Sequence, residues 1–226
     1  MQIKRTRRVL SILAAIVATS LAAFTPLAHA GESSWYLGFE LGKSDLDTWP
    51  AKVDFGSGIK IDGSMDLDAS GHAGLLLGKQ SGDARFELEY QYGRFNLARL
   101  ELGPLTEQAG GAGHYSALTL NAYRRVELSG NLSGFGGAGV GWGSVSMPQA
   151  GFSGGCHCFP HASDRDWVYQ ARLGMEYLFG ESNFAFAQYT WLRLPSAAQD
   201  SSINGPGIEY PRRTLGILSI GYRRGF

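Results

Sequence analysis

Residues 214–226 alternate with a period of two. Gly216, Leu218, Ile220, Tyr222, Arg224 and Phe226 fall on one set of positions; Ile217, Ser219, Gly221, Arg223 and Gly225 fall on the other. A strand places alternate residues on opposite faces, so this segment predicts one mostly apolar, aromatic face and one small, polar face carrying an arginine. Seven earlier segments carry related patterns: 35–43, 71–80, 84–95, 114–126, 132–145, 165–179 and 183–194. In 84–95, Phe86, Leu88, Tyr90 and Tyr92 oppose Arg85, Glu87, Glu89 and Gln91. In 183–194 the pattern leaves the facing open, because Phe184 and Phe186 share a face with Gln188 and Thr190.

The spaces between these segments alternate in length. Residues 81–83, 127–131 and 180–182 are of hairpin length, whereas 44–70, 96–113, 146–164 and 195–211 read as long loops. Eight strands with short turns at one end and four long loops at the other predict an all-β, eight-stranded antiparallel transmembrane β-barrel. The row of glycines on one face of 132–145 predicts bare wall against which long Arg and Glu side chains from opposite strands lie.

The start of the chain agrees with export. Lys4, Arg5, Arg7 and Arg8 precede an apolar run over 9–24, and Ala28-His29-Ala30 has small residues at cleavage spacing. Residues 1–30 are therefore expected to be a cleaved signal peptide and 31–226 the barrel domain. Loss of the signal leaves sixteen Lys and Arg against twenty Asp and Glu, a formal net charge of −4. That balance argues against nucleic acid as a partner. No later stretch is apolar for the roughly 18 residues of a spanning helix, so crossing a membrane requires a closed barrel.

An eight-stranded barrel is narrow and fills its interior with side chains. The expected lumen network is Glu40, Arg85, Glu87, Glu89, Arg125, Arg172, Glu176 and Arg223, four acids balancing four bases. Buried charges must pair or cost several kcal/mol each, so the balance predicts a plugged lumen.

Gly74-Leu75-Leu76-Leu77-Gly78, Glu87-Leu88-Glu89-Tyr90, Leu120-Asn121-Ala122-Tyr123, Gly137-Ala138-Gly139-Val140-Gly141 and the closing Gly221-Tyr222 with Phe226 occur in this order. Together they resemble the opacity-protein and outer-membrane protein A type of eight-stranded barrel, over nearly all of 31–226. The resemblance implies placement in the cell outer membrane, among its lipids and lipopolysaccharide. It also implies that Tyr222 and Phe226 form part of a signal to the barrel-assembly machinery, and that the long loops meet host or environmental surface ligands.

Cys156-His157-Cys158 with His161 is the sharpest local cluster. It reads as a tight disulfide, as free thiols, or as a cramped set of soft ligands for zinc or copper. His114-Tyr115-Ser116 resembles the His-x-Ser of lipid A deacylases, but Glu127, the carboxylate weighed as its third group, lies thirteen residues from His114. The glycine-rich run 134–143 lacks a following helix and is no nucleotide loop. The expected function is a structural or surface-interaction role, adhesin- or opacity-like, without catalysis or cofactor. The alternatives are a lipid A-modifying hydrolase, a small pore and a soluble periplasmic carrier.

Overall fold

The computed structural model describes residues 34–46, 48–68, 70–201 and 205–226. The expected signal peptide lies outside them. Among the described residues there are thirteen strands and no helix. They are β1 (Ser34–Asp45), β2 (Thr48–Asp54), β3 (Lys60–Asp68), β4 (Ser70–Ser81), β5 (Ala84–Leu102), β6 (Leu105–Gln108), β7 (Ala112–Ser129), β8 (Leu132–Met147), β9 (Ala162–Phe179), β10 (Asn183–Arg193), β11 (Ala197–Gln199), β12 (Gly207–Tyr210) and β13 (Thr214–Gly225).

Eight strands pair antiparallel in the circular order β1-β4-β5-β7-β8-β9-β10-β13. The ring closes where β13 pairs with β1, from Tyr36 opposite Gly225 to Asp45 opposite Gly216. Closure leaves no unpaired strand edge in the wall. Gly82, Gly130 and Gly180 adopt positive φ in the three short turns, where a side chain would be strained.

Strand period sorts the side chains. Leu37, Phe39 and Leu41 on β1, Leu118 and Leu120 on β7, and Leu218 and Ile220 on β13 are exposed on the outer surface. Trp142, Trp167, Tyr169 and Trp191 stand toward the long-loop end, while Trp35, Tyr177 and Phe179 stand toward the short turns. Two aromatic girdles flanking an aliphatic band match a bilayer and its two interfaces. β10 resolves its own ambiguity: Phe186, Gln188, Thr190 and Leu192 are buried, and Trp191 is turned outward.

The connections expected to be loops contain β2, β3, β6, β11 and β12, and this overturns the reading of 44–70, 96–113 and 195–211 as long loops. The 19 residues of β5 rise about 63 Å, whereas about 9–11 residues cross a bilayer. Its outer half therefore stands clear of the membrane and pairs with β3 and β6. β3 pairs with β2, β2 with β12 and β12 with β11, which extends the wall sideways. β9 likewise begins at Ala162, three residues before the expected Arg165.

The reason is a second core. Trp49, Val53, Met65, Leu100, Phe159 and Tyr210 are buried together above the charged lumen. Trp49 Nε1 donates to the Pro211 carbonyl at 2.8 Å, tying the β2–β3 hairpin to the segment before β13. Burial pushes the Tyr210 phenol above its ordinary pKa, and its hydroxyl donates to the Met65 thioether at 3.4 Å.

Candidate functional site

The barrel interior is organised in two charge centres, both set by β9. Arg172 and Glu176 lie four residues apart, so they face the lumen on the same side of the strand. Glu176 collects three guanidinium groups: Arg85 Nη1 at 2.9 Å, Arg125 Nε at 3.2 Å and Arg223 Nη2 at 2.7 Å. Arg172 is the reverse. Its Nη2 reaches both Glu89 oxygens at 2.5 Å, while its Nη1 lies 3.9 Å from Glu40 and 3.8 Å from Glu87.

All eight expected lumen charges are thus brought together. Seven are buried, and the Arg125 side chain keeps 26% exposure beside the short-turn end. The Arg85 and Arg172 contacts include aligned hydrogen bonds. Arg223 and Arg125 approach Glu176 as ion pairs without hydrogen-bond alignment.

Neutral side chains complete both centres, and sequence reasoning missed most of them. Arg85 sits 4.5 Å from the ring centres of both Tyr123 and Phe135. Arg223 lies 4.4 Å from Phe184 and 5.1 Å from Tyr36. These rings offer their negative faces to guanidinium N–H groups that lack an oxygen acceptor. Glu87 accepts from Tyr36 Oη at 2.7 Å and from Tyr123 Oη at 3.1 Å. Gln170 Nε2 donates to Glu89 at 3.0 Å, to Thr119 at 2.9 Å and to Asn121 at 2.5 Å.

Glu40 is held by Gln188 and by His72 Nε2 at 2.9 Å, and His72 Nδ1 lies 3.0 Å from Tyr115 Oη. The His72 ring thus bridges the Glu40 carboxylate and the Tyr115 hydroxyl. The signal for His72 and Gln188 was their strand parity with Gly74 and Phe186, which the aliphatic run 75–77 and the mixed strand at 183–194 obscured.

The glycine row of β8 serves a different purpose from the expected one. A side chain at Gly137 would meet Tyr123, and one at Gly139 would meet Asn121, both on the adjacent β7; Gly143 is covered by Val168 of β9. The bare wall therefore admits neutral neighbours rather than Arg and Glu from across the lumen. The same device recurs where Tyr36 covers Gly78 and Phe186 covers Gly221.

The remaining candidates lie outside the lumen. Tyr222 Oη donates to Asn183 Oδ1 at 2.6 Å, and its ring lies near Phe39 and Phe179 on the outer surface. The exposed Phe226 donates its backbone N–H to the Trp35 carbonyl at 2.8 Å. Cys156 and Cys158 are joined as a disulfide in the 148–161 connection. His161 Nε2 lies 3.1 Å from Ser146 Oγ, and His157 and His161 line an external cleft together with Cys156. Among the described residues no group of three His, Cys, Asp or Glu side chains is arranged to hold a metal. Ser116 Oγ bonds Ser144 Oγ at 3.0 Å, while His114 stacks on Tyr92. Glu127 pairs with Ser133 at the far, short-turn end of β7.

Comparison with known families fits this geometry. The outer membrane protein beta-barrel domain matches residues 11–208. The chain belongs to that family. Outer membrane β-barrel neighbours of known structure are distant in sequence. Neisserial surface protein A is 15% identical with a TM-score of 0.52, over 87% of this chain and all of its own. The outer membrane protein OprG from Pseudomonas aeruginosa is 14% identical with a TM-score of 0.56, over 84% of this chain and 95% of its own. At such identities the likeness is one of fold. No curated protein matches the chain. As a member of the family, this β-barrel resides in the cell outer membrane, crossing it with eight strands.

Proposed function

We propose that this outer-membrane β-barrel is a plugged, non-conducting stem that presents an external β-sheet for surface interaction, in an adhesin- or opacity-like role without catalysis. The observation that carries this reading is the extension itself. β2, β3, β6, β11 and β12 pair into a sheet with its own apolar core rather than lying as free loops. Order of this kind presents a preformed surface, which lowers the entropic cost of binding.

A small pore would need a continuous open lumen, whereas the Arg172 and Glu176 centres and the apolar core above them occupy it. A serine hydrolase needs a base on its nucleophile, and Ser116 is bonded to Ser144. Residues 1–30 act as the export signal and 31–226 as the barrel domain, with Tyr222 and Phe226 read by the barrel-assembly machinery. The partners of the external sheet are host or environmental surface ligands.

The test replaces residues 48–68 by a short turn and compares cells carrying the two forms. Retained heat-modifiability on gels with loss of attachment to coated surfaces is the expected result. Undiminished attachment would sink the reading, as would steady single-channel current from the purified intact barrel.

A further inference from the structure

Toward the long-loop end, the outward rows of five wall strands each carry a basic residue, and on β1 the row goes on to an exposed Asp45. Leu37, Phe39 and Leu41 lead to Lys43 on β1; Leu88, Tyr90 and Tyr92 lead to Arg94 on β5. His114 ends the row on β7, Arg165 that on β9 and Arg193 that on β10, and all five are exposed. The opposite rim, by the short turns, mixes signs: Lys79, Arg124 and Arg224 stand among Asp83, Glu127 and Glu181. Arg94, Arg165 and Arg193 sit one step above Tyr92, Trp167 and Trp191 of the aromatic girdle, where the acyl region of the outer leaflet gives way to headgroups.

The densest part of this rim spans β9, β10 and β13. Arg165 follows Trp167 and Tyr169 outward on β9, and Arg193 follows Trp191 on β10, opposite Tyr169 and Thr214. Arg193 Nη1 rests 3.2 Å from Thr214 Oγ1, a weak and exposed contact. Arg212 reaches over the end of β10 to the Trp167 carbonyl at 3.1 Å and to Asp166. The nearby acids are Asp166, which is paired with Arg212, Asp164, which accepts from its neighbour's backbone N–H, and the exposed Asp45 of β1, which lies opposite Gly216 on β13 and away from β9. Arg165 and Arg193 keep guanidinium groups open to solvent directly above an apolar, ring-lined wall.

We propose that Arg165 and Arg193, with Arg212 behind them, form a binding site for the phosphate groups of lipopolysaccharide in the outer leaflet. Guanidinium forks fit phosphate oxygens bidentately, and the rings of Trp167, Tyr169 and Trp191 lie below for the acyl chains. The apolar wall beneath the cluster points to a phosphate carried on a lipid rather than to a free anion. This site depends on the outer-membrane placement of the barrel and not on any role of the external sheet.

The experiment measures retention of bis-phosphorylated lipid A by the purified, detergent-folded barrel, using native mass spectrometry. Arg165→Gln and Arg193→Gln are each expected to weaken binding about five-fold, and the double variant about thirty-fold. Arg224→Gln at the opposite rim is the control and leaves binding unchanged. Folding of every variant is checked by its gel shift on boiling. Equal retention of dephosphorylated lipid A overturns the proposal, as does undiminished retention by the folded double variant. Displacement of lipid A by millimolar inorganic phosphate overturns the assignment to a lipid headgroup. Equal retention of phosphatidylglycerol overturns the assignment to lipopolysaccharide.

Discussion

Arg172 and Glu176, four residues apart on the inner face of β9, are inverse hubs. One guanidinium is surrounded by Glu40, Glu87 and Glu89, and one carboxylate by Arg85, Arg125 and Arg223. Each outer group depends on its hub for neutralisation. Arg172→Gln leaves three carboxylates facing one another, and we expect a loss of about 3–5 kcal/mol. The double variant Arg172→Gln, Glu89→Gln removes one charge of each sign and should recover about 0.5–3 kcal/mol of that loss. Urea unfolding in detergent micelles checks both values, and strict additivity would remove the hub from the account.

Trp49→Ala is expected to act on the external sheet alone. The side chain is fully buried in the outer core and bonded to the Pro211 carbonyl, so truncation costs about 3–5 kcal/mol there. Limited proteolysis should cut the variant between β2 and β3, while its gel shift on boiling persists. Loss of the shift would mean that the sheet and the membrane ring unfold as one unit.

Much of the wall was legible in the sequence. The outward rows at 35–43, 84–95 and 165–179 follow from period two alone, because one face meets lipid and the other meets charge. The external strands were hidden for a physical reason. In β2, Trp49, Ala51 and Val53 alternate with Pro50 and Lys52, but the strand is short. In β3, Met65 and Leu67 are embedded among Asp62, Asp66 and Asp68. Such segments form strands only because β5 continues beyond the membrane and offers them an edge, a long-range pairing that no local pattern records.

Gly139→Val should disturb the lumen most among changes to the β8 glycine row. The new branched side chain points at the Asn121 amide, which is itself bonded to Gln170. Overpacking of this kind costs about 1–3 kcal/mol. Adding Asn121→Gly should restore folding yield, measured as the fraction that shifts on boiling. An unaffected single variant would show that the wall relaxes outward.

The β8 glycines mark where a period of two stops being informative. A row of bare positions was legible, but which neighbour fills it depends on register. Tyr123 faces Gly137 and Asn121 faces Gly139 across the β7–β8 ladder. Register also decides which polar residues meet, and so His72, Gln170 and Gln188 could not be placed in the network from spacing.

Reduction of the Cys156–Cys158 disulfide should barely change barrel stability. The bond encloses a single intervening residue, and the loop-closure contribution grows with the number of residues enclosed, so here it is small. Unfolding midpoints with and without reductant should coincide within the error of measurement. Two thiols reactive before reduction would contradict the pairing itself.

The great length of β5 has a mechanical consequence. Its backbone runs without a break from the ring into the external sheet, where β3 and β6 hydrogen-bond along it. A pull on the outer tip, directed along the strands, loads many interstrand bonds at once in shear rather than opening them one by one. The protein is built as a rigid post anchored in the bilayer, and tension at its head is carried straight into the wall below.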